Sequence, residues 1–253
     1  MPEQLSLFGT RVCADGARRV ARLGARWIEY RFARRRRRTI AIVVDGTGLA
    51  VSAPLKAAWR DIDAFLLEKQ DWILARLDEW AAVPRAVPVL GLDGDVLPVL
   101  GERVTLDVAA GRSVVSREGD RLRIRTPAPQ ASHRVVALLL GWLRAQALAT
   151  LAPRTAALAA HLGRSAPTVE ISRAERQWGV CSARGAIRYS WRLVHLEPAL
   201  TDYVVAHEVA HLVELNHSKR FWRVVESLYP DWREARVRLE REGAALPLIG
   251  RPS

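Results

Sequence analysis

The spacing of apolar residues in the first third of the chain predicts a small β-sheet followed by a helix. Short apolar runs at residues 26–32, 39–44 and 49–52 have the length and composition of strands, and the sequence Asp-Gly-Thr-Gly at residues 45–48 is suited to a hairpin turn. Between residues 57 and 80 the apolar side chains recur at helical spacing instead. The pattern therefore changes from strands to helix within this region.

The rest of the chain again has predicted strands followed by predicted helices, over longer segments. Residues 83–129 contain short β-like runs interrupted by glycine, proline and aspartate. Residues 131–162 have the pattern of one long helix, which Pro153 is expected to kink. The remaining predicted elements are strands at 169–172 and 186–193 and helices at 198–214, 218–228 and 231–242. We therefore expect an α+β fold.

A change of pattern at Thr126-Pro127-Ala128-Pro129 predicts a division of the chain into two parts. The first, residues 1–127, is an N-terminal α+β region with a flexible tail at residues 1–15. The second, residues 128–253, contains the helices that carry the candidate chemistry described below.

The composition is that of an ordinary globular protein, with 49% hydrophobic and 26% charged residues. No segment approaches the roughly 18 uninterrupted apolar residues needed to cross a bilayer, and the N-terminal sequence lacks the pattern of an export signal. Cys13 and Cys181 are too few for a disulfide framework or a thiolate zinc site. These features predict a cytoplasmic protein.

The charge balance is strongly basic and depends almost entirely on arginine. Lysine and arginine number 39 against 27 acidic residues, a net charge of +12. Coding bias is one explanation, and an electrostatic surface for a polyanion such as DNA is the other. The five consecutive arginines at residues 34–38 have the same two interpretations: a solvated loop or hairpin tip, which we favour, or a patch that contacts phosphates.

The sequence His-Glu-Val-Ala-His at residues 207–211 has the pattern H-E-x-x-H inside an apolar helical segment. Residues four apart share a helix face, so His207 and His211 can converge on one metal ion, as tetrahedral zinc requires. Glu208 is expected beside the metal, where it can take a proton from a zinc-bound water. Because polar side chains among apolar neighbours need partners, this pattern predicts a zinc ion, Zn2+, one per chain.

A catalytic zinc normally has three protein ligands and one open position, so a third ligand is expected. His217 follows His211 by six residues, and Asn216 can end the helix with a turn that lets the chain fold back. The rival is Glu226, fifteen residues after His211 and inside the next predicted helix. The spacing favours His217. The weaker candidates are His133, His161 and His195.

The segments around this motif resemble the YgjP-like metallopeptidases, which are relatives of the SprT-like and WLM zinc peptidases. The resemblance is dense from about residue 169 to residue 240 and looser upstream. The family usually has W-G-S-C-S, whereas this chain has Val180 in place of the first serine. The resembling segments are Gln177-Trp178-Gly179-Val180-Cys181-Ser182, Ser190-Trp191-Arg192-Leu193, His207-Glu208-Val209-Ala210-His211 and Asn216-His217-Ser218, with Arg38-Thr39-Ile40 and Leu100-Gly101-Glu102-Arg103 upstream.

The resemblance implies that the histidine of the N-H-S motif, here His217, is the third zinc ligand. It also implies a zincin-like catalytic domain, in which a small antiparallel sheet lies beside the H-E-x-x-H helix and its edge strand lines the substrate cleft. Residues 186–193 are the expected edge, where an extended peptide can pair by main-chain hydrogen bonds. Tyr189, Arg192 and His195 are the candidates for a group that stabilises the oxyanion, with Tyr189 and Arg192 expected in the cleft.

A separate motif lies at the N-terminus. Residues 4–8, Gln-Leu-Ser-Leu-Phe, resemble the pentapeptide by which bacterial proteins bind the replicative sliding clamp. Leu7 and Phe8 would fill an apolar pocket on the clamp, and Gln4 would make a polar contact; Leu5 belongs to the same motif. The alternative is a terminal segment that packs its apolar side chains on its own domain.

Together these features predict a zinc metallopeptidase in which metal-activated water attacks the peptide bond and Glu208 is the general base. The substrate is a protein or peptide, and the basic charge suggests proteins associated with DNA. The alternative is a binding module that associates with DNA or the sliding clamp and holds a structural zinc. A zinc hydrolase for a non-peptide amide is the third interpretation.

Overall fold

The computed structural model describes residues 11–12, 18–83, 86–172 and 177–250. The chain forms two compact units, which we call unit 1 (Met1–Pro84) and unit 2 (Arg85–Ser253). Both contain strands and helices, so the fold class is α+β, as the sequence predicts. The sliding-clamp motif at residues 4–8 lies outside the described residues and stays a prediction.

Unit 1 contains a five-stranded sheet. Its strands lie in the order β1-β2-β3-β5-β4, with β3 and β5 parallel and the other neighbours antiparallel. The apolar pattern predicts β3, β4 and β5 but misses β2, in which three arginines interrupt the apolar residues. The strands are β1 (Arg11–Val12), β2 (Arg18–Leu23), β3 (Arg26–Arg35), β4 (Ala41–Asp45) and β5 (Gly48–Pro54).

Two helices, α1 (Trp59–Glu68) and α2 (Gln70–Ala81), cover one face of this sheet. Alternate strand residues point toward them, as the period of two in a β-strand requires. The resulting core contains Leu23, Tyr30, Val44, Leu49 and Val51 from the strands and Ile62, Leu66 and Ile73 from the helices.

The sequence predicts a single helix over residues 57–80, whereas the structure breaks it at Lys69 (φ −99°, ψ 8°). No glycine or proline marks this break. The side-chain oxygen of Gln70 accepts a hydrogen bond of 3.0 Å from the backbone N–H of Gly24, in the turn between β2 and β3. The start of α2 is thus fixed by a contact distant in sequence, which the local pattern cannot show.

Unit 2 begins with a short strand and a four-stranded sheet. The sheet has the order β7-β8-β10-β9, in which β8 and β10 are parallel. The short strand β6 pairs in parallel with β14 (Leu248–Ile249), near the end of the unit. The strands of this region are β6 (Pro88–Val89), β7 (Val96–Val99), β8 (Glu102–Ala110), β9 (Val114–Glu118) and β10 (Arg121–Thr126).

The boundary expected near residue 127 differs from the observed division at residues 84 and 85. Side chains on both sides of residue 127 share one core, and those of the sheet pack with those of the long helix α3 (Ser132–His161). The two prolines at 127 and 129 only connect β10 to α3. This core contains Leu97, Leu106, Leu122 and Ile124 from the sheet and Val135 and Leu139 from α3.

A smaller sheet and three helices complete unit 2. The sheet has the order β11-β13-β12, with β11 and β13 parallel and β12 and β13 antiparallel, so it is mixed rather than antiparallel. Its strands are β11 (Val169–Ser172), β12 (Gly179–Cys181) and β13 (Ile187–Ser190), and the helices are α4 (Pro198–Ala210), α5 (Lys219–Leu228) and α6 (Trp232–Ala244).

The strand predicted at residues 186–193 is shorter than expected and is central rather than at the edge. It ends at Ser190, whose hydroxyl oxygen accepts a hydrogen bond from the backbone N–H of Arg192 and caps the 3-10 helix Trp191–His195. β13 then lies between β11 and β12, and both of its edges are paired. An added peptide therefore cannot pair with β13.

Helix α3 is continuous through Pro153 and packs against both the four-stranded sheet and the smaller one. Its buried residues recur at every fourth position, and a stripe with that spacing advances by about 40° at each step around a helix of 3.6 residues per turn. α3 is also long and apolar enough to cross a membrane, a test that core helices of globular proteins pass as well. The buried stripe is Val135, Leu139, Leu143, Ala147, Leu151, Thr155 and Ala159.

His195 is buried, and its Nδ1 lies 2.7 Å from the carbonyl oxygen of Pro98. Since a carbonyl oxygen only accepts, Nδ1 carries the proton and donates it. Burial lowers the pKa of His195 from 6.5 to about 4, so the folded protein keeps this imidazole neutral. The unfolded chain protonates it below about pH 6.5, which makes the free energy of unfolding fall as the pH falls from 6.5 to 4.

We expect His195→Gln to flatten this pH dependence by up to about 3 kcal/mol relative to the wild type. Urea unfolding of both proteins at several pH values between 4 and 7 measures the difference. Other titrating groups are shared by the two proteins and cancel in the comparison. If the free energy of unfolding had the same pH dependence in both proteins, His195 would have the same pKa in the folded protein as in the unfolded chain.

Candidate metal centre

The helix that carries the first two histidines is buried on most sides. Pro198 occupies its first turn, where the missing N–H costs no hydrogen bond. Val204, Val205 and Val209 are buried with the rest of its apolar surface, whereas His207 is only partly buried. α4 ends at Ala210, earlier than the predicted end near residue 214, because residues 211–213 form a tighter turn with i to i+3 hydrogen bonds.

This turn brings the third histidine back toward the helix. Ser218 caps α5 by accepting a hydrogen bond of 3.3 Å from the backbone N–H of Phe221. The Nε2 atoms of His217 and His207 lie 3.1 Å apart, and one ligand nitrogen from each of His207, His211 and His217 lies within 4.8 Å of the others. The structure therefore brings together the three residues predicted as ligands.

His207 and His211 are held in the form of imidazole that binds a metal ion. Burial lowers the pKa of His207 to about 4, with further lowering by the neighbouring imidazoles, and burial also lowers the pKa of His211. Nδ1 of His211 lies 3.1 Å from the carbonyl oxygen of Glu214 and must donate to it, which leaves Nε2 with a lone pair. Neutral rings with exposed lone pairs are the form of histidine that binds metals.

The spacing of the nitrogens also fits a metal. Two nitrogens bound to a tetrahedral zinc at about 2.0–2.1 Å are roughly 3.3 Å apart. The distance of 3.1 Å between the Nε2 atoms of His207 and His217 is close to that value. A cation bound between these two nitrogens would accept a lone pair from each ring.

Glu208 lies next to these ligands and is buried, with 6% of its surface exposed. Burial raises the pKa of its carboxyl to about 7, and the hydrogen bond donated by the backbone N–H of Cys181 opposes this rise. The carboxyl is thus held against β12, away from bulk water.

Gly179 makes this arrangement possible, a role that its sequence position alone does not predict. A Cβ atom at Gly179 would lie 2.5 Å from Cγ and 2.6 Å from Cδ and Oε1 of Glu208. Real Cβ atoms do not approach other atoms so closely, so only glycine allows β12 to pass this near to the carboxyl. In the sequence, Gly179 is marked only by its place in the family-like segment Trp178-Gly179-Val180-Cys181. The sequence does not show that this glycine contacts Glu208.

Aromatic side chains support the histidines. The rings of His211 and Phe221 are 4.5 Å apart, and the ring of His217 stacks at 5.9 Å on Trp222. Trp222 in turn stacks on Trp232 of α6 at 4.1 Å. His217, which follows the helix, is thus positioned by ring packing.

The other candidate residues do not belong to the histidine cluster. Tyr189 is buried in the core, where its hydroxyl is 3.0 Å from that of Thr155, so it does not contact a substrate in the cleft. Arg192 lies over the ring of Trp178 at 5.7 Å. Glu226 forms an ion pair of 2.8 Å with Arg233 and does not belong to the histidine cluster.

A cavity of about 420 Å³ lies beside β12 and β13. Its walls include Glu170, Gln177, Gly179, Val180 and Arg188, but none of the three histidines. Within the described part of the chain β12 is an edge strand, since only β13 pairs with it. The edge strand expected in the cleft is therefore β12 rather than residues 186–193.

Three converging imidazoles beside a buried carboxyl group have the chemistry of a metal-dependent hydrolase. A family model described as "YgjP-like, metallopeptidase domain" matches residues 38–242. The chain belongs to this family, which confirms the resemblance found in the sequence and makes the protein a hydrolase. Membership implies a metal ion, and the cluster of His207, His211 and His217 could hold it.

Among solved structures, the chain is similar to the metallopeptidase zymogen abylysin of Pyrococcus abyssi. The two sequences are 25% identical, with a TM-score of 0.35, and the match covers 39% of this chain and 99% of abylysin. No curated protein matches this chain.

We expect His217→Ala to weaken zinc binding more strongly than the roughly 10- to 100-fold loss typical of residues that only support a ligand. Glu226→Ala is the matched control, because it removes the rival carboxylate and only an exposed ion pair. Zinc content after dialysis against a graded chelator measures both. Loss of zinc in Glu226→Ala with retention in His217→Ala would assign the carboxylate as the third ligand.

Proposed function

We propose that the protein is a zinc-dependent peptidase in which His207, His211 and His217 hold one zinc ion and Glu208 is the general base. The observation that carries this proposal is the convergence of three imidazole nitrogens beside a buried carboxyl group. Within the described residues the metal-binding group has three members, not four. Catalytic zinc sites have three protein ligands and an open position, whereas structural sites are closed by four. This count favours catalysis over the alternative of a binding module with a structural zinc.

Zinc in such a site acts as a Lewis acid that lowers the pKa of water and polarises a carbonyl group. The chain's own contribution is to place a proton acceptor next to that position. The Cys181 N–H fixes one side of the Glu208 carboxyl, and burial makes the carboxylate more basic than one in water. Glu208 can therefore accept a proton from water and return it to the leaving amine.

The substrate in this proposal is an extended peptide that lies along β12. The outer edge of β12 borders Glu208, because the Cys181 N–H donates to its carboxyl and Gly179 lies against it, and the peptide would pair with edge groups other than that N–H. Extended peptides bind sheet edges through main-chain hydrogen bonds, and neighbouring pockets receive their side chains. The cavity with Glu170, Val180 and Arg188 in its wall would receive residues on one side of the scissile bond. Val180, which is 46% exposed, contributes an apolar wall there.

Glu208→Gln keeps the size of the side chain but removes the proton acceptor. We expect cleavage of a labelled unfolded protein to fall by about 10²- to 10⁴-fold, the usual contribution of a general base. Zinc content should stay at the wild-type level, since Glu208 is not a ligand in this proposal. Chelation with 1,10-phenanthroline should abolish wild-type cleavage. Cleavage by Glu208→Gln at the wild-type rate would contradict the proposed role.

Gly179→Ala tests the close approach of β12 to the carboxyl. The added methyl group would overlap Glu208, so we expect at least about a tenfold loss of turnover with zinc content unchanged. Gly141→Ala is the control, because it adds the same methyl group in α3, where no atom lies within 4 Å of it. If Gly179→Ala and Gly141→Ala were equally active, the position of Glu208 would not depend on the missing side chain.

A further inference from the structure

The sheet of unit 1 has one face that its helices do not cover. Leu49, Val51 and Ala53 of β5 are buried toward α1 and α2, so Ala50 and Ser52 point to the opposite side. In register with these two residues are Arg31 and Ala33 of β3. The centre of this face, which we call the open face, is thus lined by the small side chains of Ala33, Ala50 and Ser52.

Arginines surround these small residues. Arg18, Arg31, Arg35 and Arg37 line a recess of about 630 Å³ over Ala33, Ala50 and Ser52. Arg18 of β2 lies directly opposite Arg31 of β3 in the strand register. Like charges in such a pair destabilise a sheet, and a bound anion would relieve the repulsion.

Two carboxylates on the open face offset part of this charge. Glu29 lies 3.3 Å from Arg18, and Asp45 lies 3.7 Å from Arg31, which leaves Arg35 and Arg37 without an ion-pair partner among the described residues. The side chain of Arg35 is exposed and forms no hydrogen bond or ion pair with any residue that the structure describes, although its backbone carbonyl oxygen accepts a hydrogen bond from the N–H of Arg37. The open face therefore keeps an excess of positive charge.

Only part of the five-arginine run at residues 34–38 contributes to this charge. Arg34 points to the other side of the sheet, where it donates hydrogen bonds to the carbonyl oxygens of Pro54, Leu55 and Ala57. Its role is to hold the loop after β5. Arg35 and Arg37, one on either side of Arg36, line the recess instead. The five-arginine run is thus not a uniform segment: Arg34 binds backbone carbonyl groups, whereas Arg35 and Arg37 are available to the open face.

We propose that the open face of unit 1 binds single-stranded nucleic acid through its phosphate groups. Arg31 and Arg35 are four residues apart on one strand, a span of about 13 Å, which is too long for one phosphate and suits a chain of them. Guanidinium groups bind phosphate oxygens in pairs of hydrogen bonds.

The shape of the face favours a single strand over other anions. Trp27 lies on the same face of β3, two alternate positions before Arg31, and is 53% exposed. A basic groove with an exposed aromatic ring is the arrangement on which single strands bind, with the backbone along the groove and a base stacked on the ring. Because Ala33, Ala50 and Ser52 have small side chains, the sugar-phosphate backbone of the nucleic acid can lie close to the sheet. Nucleic acid held here would keep the hydrolase of unit 2 near proteins that share the same strand, but the binding does not depend on hydrolysis.

The test is fluorescence anisotropy of a labelled 20-nucleotide oligothymidine with the full chain at 50–300 mM salt. The double variant Arg31→Gln, Arg35→Gln should lower the affinity at least about tenfold at low salt. It should also reduce the slope of log K against log salt by about 1.4, or about 0.7 for each lost phosphate contact. Zinc-loaded Glu208→Gln should bind like the wild type.

The matched control is Arg60→Gln, Lys69→Gln, which removes the same charge from the helical side of unit 1. An equal loss of affinity in both double variants would show attraction to net charge alone and would overturn the proposal. Binding to phosphatidylserine vesicles without binding to oligothymidine would overturn it as well. Arg35→Glu guards against misfolding, because this exposed side chain has no described partner. Wild-type affinity in Arg35→Glu would also contradict the assignment.

Discussion

The close approach of β12 to α4 is the constraint on which the metal centre depends. α4 is buried on most sides, so each polar side chain that it carries needs a hydrogen-bond partner and space from a neighbouring element. β12 does so for Glu208: the Cys181 N–H supplies a hydrogen bond, and Gly179 supplies the space. The histidines are treated differently, since His211 is oriented by a carbonyl oxygen and His217 by stacking on Trp222. The Glu208 carboxyl and the rings of His211 and His217 are thus each fixed by a different part of the chain.

The sequence predicts the grouping of the three histidines because their spacing is local. His207, Glu208 and His211 follow from the geometry of one helical turn, and His217 follows from a short connection after it. The long helix α3 is predicted within one residue at each end, since its apolar pattern is strong and continuous. The family, the fold class and the grouping of the three histidines are therefore accessible from the amino-acid sequence alone.

The errors arise where contacts distant in sequence decide the local structure. The sequence places the cleft edge at residues 186–193, because a run of apolar residues does not reveal which strand lies in the middle of a sheet. Tyr189 is expected near a substrate for the same reason, yet its hydroxyl satisfies Thr155 in the core. The boundary expected near residue 127 follows two prolines, although the apolar residues on both sides of them pack together. Three-residue β12 is too short for any pattern to show.

The pairing of β6 with β14 has a consequence for the topology of the hydrolase unit. These strands lie at Pro88–Val89 and Leu248–Ile249, so the chain enters and leaves unit 2 side by side. A unit with adjacent ends can be inserted into another protein, or have its ends joined and new ends opened in an exposed loop, without changing its core. Other domains could therefore be fused beside the paired strands β6 and β14 without changing the metal centre.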